Sequence, residues 1–131
     1  MPKLATIKQY IDIMNCADWD KLNNILIDNF HFKGRFIETW YLADYIEYNR
    51  NVSLPFHCKT KKLEQISEQL FRYKFEICII DEKIYKINID QLITIKGQHI
   101  NQTVLFYDKN LIPKNLASKN MAYMEKIAKR N

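Results

Sequence analysis

Ile7, Ile11 and Met14 recur at helical spacing with Lys8, Gln9 and Asp12 between them, which predicts an amphipathic first helix running to about Asn15. A second helix is predicted directly after it, with Asp18 as N-cap, Leu22, Ile25 and Leu26 as its apolar stripe and Asp28-Asn29 as its stop. Phe30-His31-Phe32 reads as a short strand closed by Lys33-Gly34. From Ile37 to about Tyr48 the mixture of aromatic and acidic positions predicts a third helix. After Pro55 the pattern turns to alternation, with a first strand in the charged stretch from Phe56 to Gln69. Tyr73, Phe75, Ile77 and Ile79 then share one parity against Lys74 and Glu76, and Asp81-Glu82-Lys83 supplies a turn. Tyr85, Ile87 and Ile89 alternate with Lys86, Asn88 and Asp90, and the strand continues through Leu92, Ile93 and Ile95. Lys96-Gly97-Gln98 is a second turn and Gln102 to Asp108 a last strand.

Helices followed by an antiparallel meander make an α+β pattern, with three N-terminal helices laid on one face of a strongly curved sheet. Beyond Pro113, Leu116, Met121, Met124, Ile127 and Ala128 form one side of a possible C-terminal helix; the other reading is a frayed basic tail. The chain divides accordingly into a domain over residues 1–112 and a basic segment over residues 113–131.

At 131 residues and 47% hydrophobic content, the chain has material for one core. Its two glycines, Gly34 and Gly97, are too few for a phosphate-cradling loop or a dinucleotide turn. Cys16, Cys58 and Cys78 stand far apart, matching neither a disulfide framework nor a zinc ribbon, which suggests a reducing, cytoplasmic setting. No apolar run reaches the ~20 residues of a membrane helix, and residues Met1, Pro2 and Lys3 do not open onto a signal-peptide core. The net charge of +5 is uneven: up to Asp108 there are 14 basic and 14 acidic residues, and beyond it six basic residues face Glu125 alone. A nucleic-acid groove needs basic residues over its own floor, so neither nucleic acid nor membrane is expected as a partner.

The run Tyr10-Ile11-Asp12-Ile13-Met14-Asn15-Cys16-Ala17-Asp18-Trp19-Asp20 resembles the opening of the NTF2-like superfamily, particularly its SnoaL-like and steroid-isomerase-like branches. Ile27-Asp28-Asn29-Phe30 is similar to that family's entry into its first strand. Ile89-Asp90-Gln91-Leu92-Ile93-Thr94-Ile95, Gly97 and Val104-Leu105-Phe106-Tyr107 resemble its last hairpin. The likeness runs from about Ile7 to Leu111. It implies a cystatin-like cone, in which helices close a curved antiparallel sheet around an apolar pocket, paired as a homodimer through the outer sheet face.

The steroid-isomerase branch uses a helix tyrosine and a protonated strand aspartate as oxyanion donors, positions that fall at Tyr10 and Asp90. Its proton-shuttling carboxylate falls at Lys33 or Gly34, neither of which can serve. His31, three residues before Gly34, is the substitute base, unless it is only a hydrogen-bonded edge residue. Asp90 shares its parity with Lys86 and Asn88, so these three either face water or line the polar end of the cone. Trp19, Trp40, Tyr41, Tyr45 and Phe106 are the candidates for contact with a ligand, core packing being the other account of such aromatics. No metal motif and no cofactor is indicated. The sequence therefore suggests a cone that binds a small apolar organic molecule without the full isomerase set. The alternatives are an isomerase or cyclase acting next to a carbonyl, and a non-catalytic dimeric scaffold.

Overall fold

A computed structural model describes residues 2–130. Helix α1 (Lys3–Cys16) ends where Ala17 turns left-handed (φ 55°) and Asp18 N–H bonds back to the Ile13 carbonyl. A 3-10 turn (Trp19–Asn24) leads into β1 (Leu26–Lys33), and a tight connection into the two-residue β2 (Glu38–Thr39). Helix α2 (Leu42–Glu47) continues into a π-helical turn over Tyr48–Val52. Strands β3 (Phe56–Gln65), β4 (Leu70–Ile80), β5 (Ile84–Lys96) and β6 (His99–Phe106) form the meander, and α3 (Lys114–Arg130) closes the chain.

The six strands form one open sheet in the order β2-β1-β6-β5-β4-β3. Register shifts at Leu26/His31, Thr60/Lys62 and Thr94/Ile95 insert bulges, which bend and twist the strands that carry them. The sheet curls and does not close, as an α+β cone requires. One pairing departs from the expected all-antiparallel sheet, since β1 runs parallel to β6.

Two of the predicted helices change character. The second is only the 3-10 turn, because Ile25 O accepts from Ile100 N–H at 2.8 Å and Leu26 pairs with Ile100. Sheet pairing thus takes the backbone groups that a helix would have used. The third is shortened to α2, since Gly34 N–H bonds Ile37 O at 2.7 Å and Thr39 pairs with Phe32, holding the first half of that stretch in a hairpin.

Tyr73, Phe75 and Ile79 of β4 and Ile87, Ile89, Ile93 and Ile95 of β5 are buried on the concave face beneath α1 and α2. The side chain of Asn15 acts as an extra strand against the free edge of β3. Its Oδ1 accepts from Cys58 N–H at 2.7 Å and its Nδ2 donates to Cys58 O at 3.1 Å. Leucine at this position satisfies neither group, so Asn15→Leu is expected to lower the unfolding free energy by about 1–3 kcal/mol in urea denaturation. An unchanged midpoint would mean that water replaces the amide at no cost.

The basic segment is a docked helix. Leu116, Asn120, Tyr123 and Ile127 are buried, whereas Met121, expected on the apolar side, is 56% exposed. Tyr123 donates its hydroxyl proton to Asp44 O at 3.0 Å, and Arg130 bridges to Glu47 at 2.8 Å.

Candidate functional site

The curl of the sheet leaves a hollow of about 100 Å³, walled by α1, α2, the concave sheet face and α3. Its surface is mostly aliphatic and aromatic, with Ile87, Ile89, Phe75 and Phe32 among the lining residues. Two sets of its lining side chains hydrogen-bond to one another.

The first group is a chain of hydrogen bonds. Gln91 Nε2 donates to Thr103 Oγ1 at 2.5 Å and to the Tyr10 hydroxyl at 3.4 Å. Tyr10 and Tyr45 hydroxyls lie 2.7 Å apart, and Tyr45 donates to the Met14 sulfur at 3.7 Å. A hydroxyl has one proton, so with Tyr45's committed to Met14, it is Tyr10 that donates to Tyr45. The chain ends on Tyr45, whose acceptor is a thioether, a weak one. Burial pushes the Tyr10 hydroxyl up to about 12, and Tyr45 is raised well above the ordinary phenol value by burial and by Tyr10 beside it. Both are therefore neutral donors at physiological pH.

The second group joins Tyr48, which follows α2, to Asn120 of α3: Tyr48 donates to Asn120 Oδ1 at 2.8 Å. Burial raises the Tyr48 hydroxyl as well. Cys58 also lines the hollow, and burial, with a smaller contribution from Cys78, pushes its thiol up to about 12, which removes it as a nucleophile.

Of the residues anticipated from the sequence, Tyr10 and Tyr45 meet in this wall. Asp90 does not join them. The buried parity of β5 is Ile87, Ile89, Gln91 and Ile93, so Asp90 projects from the opposite face, where Arg72 Nε donates to both carboxylate oxygens at 3.0 Å. Those bonds hold its carboxyl below the usual range, so Asp90 is an ionised acceptor and not a neutral oxyanion donor. The residue that reaches Tyr10 is its neighbour Gln91.

His31 is half-buried, bonded through Nε2 to Glu38 at 2.6 Å and stacked on Trp40 with ring centroids 5.9 Å apart; it is not part of the lining. Trp40 and Tyr41 stand before α2 and are 46% and 53% exposed. Phe106 is 48% exposed, and Trp19 packs on the Phe56 ring at 6.2 Å. None of these four lines the hollow.

Gln91, Tyr48 and Asn120 were missed. Gln91 had a legible signal, being the polar interruption of an otherwise isoleucine parity. Asn120 had a fainter one, at helical spacing between Leu116 and Tyr123. Among the described residues no three His, Cys, Asp or Glu side chains gather as a metal site, and no helix is long and apolar enough to cross a membrane.

No protein-family model and no curated protein sequence matches the chain. Solved structures do. An NTF2-like protein of unknown function from Cytophaga hutchinsonii superposes with a TM-score of 0.74 at 14% identity, covering 84% of this chain and 93% of the other. A SnoaL-like polyketide cyclase from Agrobacterium tumefaciens gives 0.71 at 15% identity over 88% and 99%. An LEH-like epoxide hydrolase from Mycobacterium tuberculosis gives 0.73 at 11% identity over 93% and 89%. At these identities the likeness is one of fold.

Proposed function

We propose that this chain, an NTF2-like cone, binds in its hollow a small apolar molecule bearing a hydrogen-bond-accepting oxygen, and performs no proton transfer on it. The observation that carries this reading is the Tyr45 hydroxyl, which ends a hydrogen-bond chain inside an apolar wall and has only the Met14 sulfur as acceptor. A carbonyl oxygen is a better acceptor than a thioether, and the phenol's high pKa keeps it a donor. The volume, about 100 Å³, and the mostly aliphatic wall suit a small aliphatic ketone.

Two of the structural neighbours are named as enzymes, a polyketide cyclase and an epoxide hydrolase. In this chain the lining contains no carboxylate, imidazole or amine among the described residues, and burial raises its phenols and thiol, so no group that ionises near neutral pH is at hand to take or return a proton. That favours binding over the isomerase or cyclase alternative.

The test is an NMR titration with 2-hexanone. Shifts confined to Tyr10, Tyr45 and Gln91 and their neighbours are expected, with Tyr45→Phe weakening affinity about fivefold to tenfold, the worth of one buried hydrogen bond. Absence of saturable shifts, or equal affinity in Tyr45→Phe, would refute the reading.

A further inference from the structure

The second polar group in the wall has an unused half. Asn120 is 2% exposed and lines the hollow from α3. Its Oδ1 accepts from Tyr48, and Tyr48 is itself fixed by its ring contacts with Phe32 and Tyr123. The amide nitrogen of Asn120 donates to no partner among the described residues, and it is not among the side-chain atoms sealed off by protein. An amide nitrogen that has no protein acceptor and stays open leaves its two N–H donors to water or to a ligand. The buried Asn49, by contrast, has its nitrogen donating to Tyr45 O at 2.9 Å.

We infer that Asn120 is a specificity-determining residue that donates to a second oxygen of the ligand, so the site prefers a short aliphatic chain with two acceptor oxygens over one with a single carbonyl. The inference rests on the proposed ligand site and extends it: the tyrosine pair receives one oxygen, and the α3 amide the other. It also makes α3 part of the binding wall, because no other element presents this amide. Bound ligand then stabilises the folded protein, α3 included, by RT ln(1 + L/Kd), with L the free ligand concentration.

The experiment compares 2-hexanone with 2,5-hexanedione, which adds one carbonyl to the same carbon chain, by NMR titration of the full-length protein and two variants. Asn120→Asp keeps an acceptor for Tyr48 and removes both N–H donors; Asn120→Leu removes both functions. The expected result is that the preference for the diketone, taken as the ratio of the two Kd values, falls fivefold to tenfold in Asn120→Asp, because the Kd of the diketone rises by that much more than the Kd of 2-hexanone. Asn120→Leu is expected to lose the same preference, and thermal unfolding of each variant reports whether it remains folded. A ratio unchanged between the wild-type protein and Asn120→Asp overturns the role of Asn120 and leaves the ketone site standing. Failure of the wild-type protein to bind either ketone overturns both readings.

Discussion

Raising the pH to about 11 is expected to unfold the protein cooperatively, because burial holds several acidic protons that the unfolded chain would release. The Tyr10 hydroxyl is pushed from 10.0 to about 12 and the Cys58 thiol from 9.0 to about 12. A group whose folded pKa is raised contributes stability that is fully present below its unfolded value and is withdrawn as pH climbs towards the folded one. The loss therefore begins near pH 9 with Cys58, deepens past pH 10 with Tyr10, and ends near pH 12. From those shifts the two groups together withdraw on the order of 4 kcal/mol at about pH 11, comparable with the whole stability of a marginal domain. Tyr73, also pushed up to about 12 by burial, adds to it in the same window. Far-ultraviolet circular dichroism followed with pH should show one steep step, with the tyrosinate absorbance of the buried tyrosines rising in the same step. Cys58→Ala should move its onset upward. Ionisation of all eight tyrosines with the dichroism still intact would contradict the burial of Tyr10 and Tyr45.

Tyr45→Ala is expected to be the most damaging single substitution in the wall, lowering the unfolding free energy by about 3–5 kcal/mol in chemical denaturation. Tyr45 is 1% exposed, and its ring packs between Phe30 and Phe32 at centroid distances of 5.0 and 4.8 Å. Truncation would enlarge a hollow that already exists, leaving those rings without contacts and the Tyr10 hydroxyl without its acceptor. Tyr45→Phe removes only the hydroxyl and should cost about 1 kcal/mol. That contrast is what lets the phenylalanine variant serve as a binding probe. Equal costs for the two variants would mean that the ring contributes nothing by packing.

Much of this architecture was legible before any coordinates. The parity of Tyr73, Phe75, Ile77 and Ile79 announced β4, and the helical spacing of Ile7, Ile11 and Met14 announced α1. The site was less legible. Trp40 and Tyr41 looked like cavity residues because aromatic rings are usually buried, yet the β1–β2 hairpin delivers them to the surface just before α2 begins. Leu22, Ile25 and Leu26 had helical spacing, but a parallel partner on β6, about 75 positions later in the chain, pulled Leu26 into a strand.

By itself the amino-acid sequence determined the local periods: where side chains repeat every two residues or every three to four, where glycine and charged turns interrupt them, and that one core is formed. Local sterics and solvent preference suffice for that, since both act over a few residues. Which of two faces encloses the hollow was decided only by tertiary structure. Lys86-Asn88-Asp90 and Ile87-Ile89-Gln91 are both continuous faces of β5, and it is the packing of helices over one of them that placed Gln91 against Tyr10 and left Asp90 to Arg72. Likewise the docking of α3 brought Asn120 to Tyr48 across 72 positions of chain, a meeting of residues that no local pattern encodes.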